Sequence, residues 1–373
     1  MKTRLNPLSN DTGQAGNKPR LVAFYLPQYH PVPENDAWWG KGFTEWTNVG
    51  KAKALFPGHQ QPKVPGELGY YDLRLPEVRE AQAELAKEAG IEGFCYWHYW
   101  FAGQRLLERP FEEVLSSGKP DYPFCLCWAN HSWYAKTWNK DEPDRLLIEQ
   151  TYPGEDDFIA HFKAMLPAFK DKRYMKVGNK PIFGVFSPTE LKQTDTFLTC
   201  WNRLAKEHGF DGMYMVTICF RKQAIKPLLA QGYDALIYDL AFLRRSAPRF
   251  LFQLLHDVFR IPRLIDYNDY VRTSLSHTPV DKTILPCLIP NFDHTPRSGR
   301  RGDVMINSNP SNWFNFLTGM FRKVKDKPSE ENLIFIKSWN EWGEGNYLEP
   351  DLRFGKGYLE ALKKALQQVV EES

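Results

Sequence analysis

Residues 332–340 read NLIFIKSWN and continue as EWGEG, so an aliphatic run passes directly into two carboxylates, Glu341 and Glu344, set among Trp, Asn and Gly. A short continuous apolar run bounded by polar residues reads as a strand buried on both faces, as in a parallel sheet. Seven runs of the same kind precede it, at 21–27 (LVAFYLP), 91–100 (IEGFCYWHYW), 124–130 (FCLCWAN), 181–187 (PIFGVFS), 212–220 (GMYMVTICF), 235–242 (ALIYDLAF) and 284–292 (ILPCLIPNF). Between and after them lie helical patterns at 76–89, 106–115, 157–169, 194–208, 226–231, 250–276, 311–324 and 357–370. Strand–helix alternation calls for right-handed βαβ units. Eight such units predict an α/β fold, a (β/α)8 TIM barrel, as a single domain over 19–373. The polar segment 1–18 is expected to be a disordered tail. Neither GxGxxG nor GxxxxGK[ST] follows the first run, which removes the usual nucleotide-binding variants. Long βα loops at 28–74, 130–156 and 243–265 are expected on the C-terminal face, where barrel enzymes place their sites.

Composition narrows the function classes. A net charge of +3 over 373 residues, with no basic stripe beyond RSGRR at 297–301, gives no footprint for nucleic acid. No run of about 18 apolar residues predicts a membrane span, and the N-terminal stretch lacks the apolar region of a signal peptide. Five of the six cysteines (Cys95, Cys125, Cys127, Cys219, Cys287) sit in apolar runs and Cys200 in a helical pattern. That placement suits reduced, buried thiols and a cytoplasmic protein. Twelve Trp are the unusual feature; their flat faces suit sugar rings, although any single Trp is more often packing.

The polar and aromatic residues fall at the ends of the strands. The first run and its loop supply Tyr25, Tyr29, His30, Glu45 and Trp46, the second Trp97, His98 and Trp100, and the third Trp128, Asn130 and His131. The sixth supplies Tyr238, the seventh Asp293 and Arg297, and the eighth Trp339, Asn340 and Trp342 beside the two glutamates. These are the expected substrate-binding residues, with Glu341 and Glu344 catalytic. Glycoside cleavage needs an acid for the leaving oxygen and a second carboxylate, and Gly343 and Gly345 permit a tight turn between them. A rival reading takes His30, His98, His131 and His294 as metal ligands, but no HxH, HExxH or Cys/His spacing supports it. No metal and no cofactor is expected.

Six segments read together resemble the WbsX family, often labelled glycosyltransferases and related to glycoside hydrolase family 99: AFYLPQYHPVPEND, WWGKGFTEWTNV, GFCYWHYWF, FCLCWANHSW, NFDHTPR and IKSWNEWGEGNYLEPD. They run from about residue 21 to 360. The resemblance implies a (β/α) barrel acting on an oligosaccharide or polysaccharide, commonly within surface polysaccharide, lipopolysaccharide or O-antigen metabolism. It also implies retention through a 1,2-anhydro sugar. In that scheme Glu341 resembles the base on the sugar 2-hydroxyl and Glu344 the acid/base. Glu45, Tyr25 and Tyr29 resemble sugar-binding residues. Gly343 stands where the hydrolases carry His, which implies the loss of a sugar contact. The alternatives are a glycosyltransferase using an activated donor, against which the chain has no D-x-D motif, and a non-catalytic glycan-binding barrel.

Overall fold

The computed structural model describes residues 18–135, 144–240, 258 and 261–372. Eight parallel strands form the centre: β1 Arg20–Tyr25, β2 Gly93–His98, β3 Phe124–Trp128, β4 Lys180–Val185, β5 Tyr214–Cys219, β6 Ala235–Asp239, β7 Ile284–Leu288 and β8 Leu333–Ile336. Each pairs with the next in sequence, and β8 pairs with β1 in register from Arg20↔Leu333 to Ala23↔Ile336, so the sheet closes on itself. The chain is thus a (β/α)8 barrel with all eight runs in their expected order. Nearly every strand residue is buried, because alternate side chains fill the interior while the others pack under the helices.

The helices are α1 Pro33–Trp39, α2 Glu45–Lys51, α3 Pro76–Ala89, α4 Arg109–Ser117, α5 Glu155–Lys170, α6 Thr194–Glu207, α7 Ile225–Ala230, α8 Tyr267–His277, α9 Thr295–Ser298, α10 Pro310–Val324 and α11 Gly357–Glu371. Their ends follow local chemistry. Helix α3 begins on Pro76, whose missing N–H costs nothing at a first turn, and stops at Gly90 with φ +90°. Three acidic residues open α5 against the positive end of its dipole. The loop after β1 carries α1 and α2, and a small parallel pair, Arg263–Asp266 with Asp303–Ile306, joins the loops after β6 and β7; neither feature was expected. The expected tail at 1–18, apart from Lys18, lies outside the described residues, as do 136–143 and most of 241–260 from the expected long loops. All six cysteines are buried and free. Among the described residues no helix is long and apolar enough to cross a membrane.

Candidate active site

Beyond β8 the chain does not turn directly into a helix. Asn340–Glu341 pairs antiparallel with Asn346–Tyr347, and the residues between form a 3-10 turn, Trp342–Glu344. Gly345 closes the turn at φ +55°, where a β-carbon would also meet Cβ of Asp293 and Nζ of Lys63 at 2.7 Å. Only glycine satisfies both conditions. The turn is fixed from behind. Asn340 bonds both backbone groups of Leu26, and Tyr29 donates to the Asn340 carbonyl at 2.5 Å while accepting from the Trp342 amide at 3.0 Å.

Arg297, on α9, draws the acidic groups together. Its Nη1 donates to Oε1 of Glu344 at 2.7 Å and Oε1 of Glu341 at 3.2 Å, and its Nε to Oε2 of Glu45 at 3.1 Å. The two oxygens held by that one nitrogen lie within about 6 Å of each other, close enough for the carboxyls to act on each other directly. Side-chain exposure is 9% for Glu341, 18% for Glu344 and 4% for Glu45. Burial, then the neighbouring Glu344, push the Glu341 carboxyl up to about 7 against the pull of Arg297 and Lys337. Burial also acts to raise Glu344, but Arg297, His294 and Lys337 outweigh it and hold that carboxyl below its usual range. The pair is therefore unequal, with Glu341 the better holder of a proton at neutral pH.

Tyr29, Trp46, Tyr71 and Trp342 form an aromatic wall beside this cluster, with Trp46 5.6 Å from Trp342 and 4.7 Å from Tyr29 between ring centroids. Asp293 sits behind the turn. Its amide donates to the Glu344 carbonyl at 2.6 Å, and its carboxylate takes bonds from His59, Gln61 and Thr295. Trp97 points into the barrel and stacks on Phe24 at 4.6 Å. His131 contacts Phe186, Tyr238 is the last but one residue of β6, and Asn130 ties the ends of β3 and β4 through Ser187.

The structure places the other expected residues away from the mouth. Tyr25 donates outward to Gln82 of α3, and Trp339 packs on Phe94 in the same layer. His98 and Trp128 face α5, where His98 and His161 share a 2.8 Å Nε2–Nε2 bond and Trp100 stacks on His161. His30 turns back to the Pro27 carbonyl, and burial lowers it to about 4. Strand alternation explains the correction for Tyr25, His98 and Trp128: residues adjacent in sequence at a strand end point to opposite faces. The four histidines of the metal reading are likewise scattered, and among the described residues no group of three or more His, Cys, Asp or Glu is arranged so that it could hold a metal ion.

Several contributors escaped the sequence reading. Lys337, one residue past β8, lies 3.4 Å from Asp239 at the end of β6, and Ser338 donates to Glu341 at 3.2 Å. Glu349 accepts bonds from Trp342, Gln82 and Tyr71, yet burial pushes its carboxyl up to about 7. The signal for Lys337 was a cation inside an otherwise apolar run. Gly343 also reads differently in three dimensions: Oε2 of Glu45 occupies the space that a β-carbon there would take. The glycine leaves no opening, because a carboxylate fills it.

A family model described as Glycosyltransferase WbsX matches residues 21–362. Two curated relatives, each an uncharacterized protein WxcX, come from Xanthomonas campestris pv. campestris, strains ATCC 33913 and B100. Each is 36% identical over 350 residues, covering 93% of this chain and 49% of the relative. The chain thus spans about half the length of the curated relatives it matches. Among solved structures, the GH99 endo-alpha-mannosidase from Bacteroides thetaiotaomicron aligns with a TM-score of 0.57 at 11% identity, covering 95% of this chain and 99% of that one. A glycoside hydrolase-like protein aligns with a TM-score of 0.58 at 13% identity, covering 97% of each chain. At these identities the likeness is one of fold.

Proposed function

The chain belongs to the WbsX glycosyltransferase family, and from the site that its barrel carries we propose that it cleaves or transfers glycans as a retaining glycosidase or transglycosidase of the family-99 type. The observation that carries the reading is the unequal carboxylate pair, Glu341 and Glu344, held by one arginine nitrogen at the C-terminal end of the barrel. In the first step Glu341 takes the proton of the sugar 2-hydroxyl and O2 attacks the anomeric carbon. The bond to the leaving oxygen breaks as Glu344 protonates it, giving a 1,2-anhydro sugar. In the second, Glu344 takes a proton from water or an acceptor hydroxyl, that oxygen opens the anhydro ring, and Glu341 returns its proton to O2. Two inversions give net retention. Surface polysaccharide or O-antigen metabolism is the proposed setting, with the cytoplasm as the site of action.

These roles follow the order of the motif, whereas the electrostatics rest the shared proton on Glu341. Either one-proton form supplies one acid and one base, and the two forms have the same pH dependence. An aryl glycoside with an activated leaving group tells them apart, because its departure needs no acid. Glu344→Gln is expected to keep the first step on that substrate and Glu341→Gln to lose it; the reverse pattern would exchange the roles, and loss of neither would end the proposal. The family description favours a second reading, transfer from an activated sugar donor.

A further inference from the structure

We propose that Arg297 is a positioning residue that decides which carboxyl of the pair carries the proton, and that Gly343 is glycine so that Glu45 can anchor Arg297 in that place. The inference rests on the acid/base reading of Glu341 and Glu344 and adds to it the groups that make them different.

The argument begins with the guanidinium. Its N–H groups lie in one plane at fixed angles, so binding Nε to Glu45 fixes the direction of Nη1. Glu45 is itself held at the start of α2, where its amide donates to the Gln28 carbonyl and its Oε1 accepts from Asn48 at 3.3 Å. From that anchor Nη1 lies 0.5 Å closer to Glu344 than to Glu341 (2.7 against 3.2 Å). A charge-assisted bond that is shorter on one side stabilises that side's anion more. Lys337 acts on both carboxyls and so does not separate them as directly. Of the remaining titratable groups, Tyr99 after β2 faces Glu341 and His294 at the start of α9 faces Glu344, while Tyr29 from the β1 loop lies against Glu45 and Arg297 and Asp239 from β6 against Lys337.

Gly343 completes the device by volume, since its φ is outside the left-handed region. A β-carbon there would overlap Oε2 of Glu45 and come within 3.0 Å of Arg297 Nε. A side chain at 343 would therefore force the Glu45 carboxylate out of the place from which it binds Arg297 Nε. Restoring the family-99 histidine at this position would require the Glu45 carboxylate to move.

The test is a 13C NMR titration of the glutamate carboxyl carbons in the whole chain, which needs no substrate. Arg297→Gln is expected to raise the Glu344 midpoint by about one pH unit or more, and Arg297→Lys to restore it incompletely, because an ammonium cannot hold Glu45 and Nη1's two partners in one plane. Gly343→Ala, which removes no charge, should raise it in the same direction. An unmoved Glu344 in Arg297→Gln overturns the proposal. Where that variant fails to fold, an unmoved Glu344 in folded Gly343→Ala overturns it instead. If the shifts appear but no glycan is turned over, the glycosidase reading fails and the clamp stands.

Discussion

Glu341 and Glu344 accept hydrogen bonds from the same nitrogen of Arg297, at 3.2 and 2.7 Å, and so cannot titrate independently. Replacing either by Gln keeps the shape of the site and removes one proton-transfer group. Turnover of the natural glycan is expected to fall by about 100-fold or more in each variant, with the circular dichroism spectrum unchanged. Wild-type turnover in either would remove the two-carboxylate mechanism.

The pH profile follows from the same pair. Catalysis needs one proton on the pair, whichever carboxyl acts as acid. Glu341 loses its proton near pH 7, so kcat/KM should fall as pH rises through about 7. Glu344 is held below its usual range, so the acid limb, where both carboxyls become protonated, should lie below the ordinary carboxylate pKa. A profile still climbing above pH 8 would contradict this arrangement.

A participating 2-hydroxyl makes a chemical prediction. The 2-deoxy form of a true substrate should bind but not be cleaved, since no anhydro ring can form. Cleavage of the 2-deoxy compound at a comparable rate would call for a carboxylate nucleophile in its place.

How much of this was legible in sequence depended on which face a residue uses. The eight apolar runs were visible because each strand is buried on both sides. That same burial hid direction: Phe24 and Tyr25, or Trp97 and His98, read alike but point to opposite sides of the sheet. Glu45, Arg297, Glu341 and Glu344 could each be named from their motifs, yet nothing in their spacing announced that one guanidinium would hold all three carboxylates. Helices α1 and α2, at seven residues each, are too short to impose a period on the loop after β1.

The transferase reading is tested by calorimetry with nucleotide sugars on the whole chain. No tight binding is expected, because this site is a carboxylate-rich cluster in which Arg297 already serves three acids. A clear micromolar signal would transfer the proposal to an activated-donor enzyme.

Asp293 gives a prediction about stability beside the turn that carries Glu344. Its carboxylate is buried, and burial alone would raise it. Bonds from His59 and Thr295 and the charge of Lys63 instead lower it from 3.8 to about 2. A carboxylate depressed in the folded state adds stability that is fully present above its unfolded value and is lost as pH falls through the folded one. The window here is from about pH 4 down to about pH 2, and a shift of this size corresponds to roughly 2 kcal/mol. Asp293→Asn should lower stability to unfolding at pH 6 by that order and flatten its decline across the window. The same variant puts an NH2 donor where one carboxylate oxygen stood, so His59 and Gln61 on one side or Thr295 on the other lose their acceptor; Glu344, whose carbonyl is bonded by the residue 293 amide, should become less ordered and turnover should fall with it. Parallel stability curves for the two proteins between pH 4 and 2 would show that Asp293 does not supply this term.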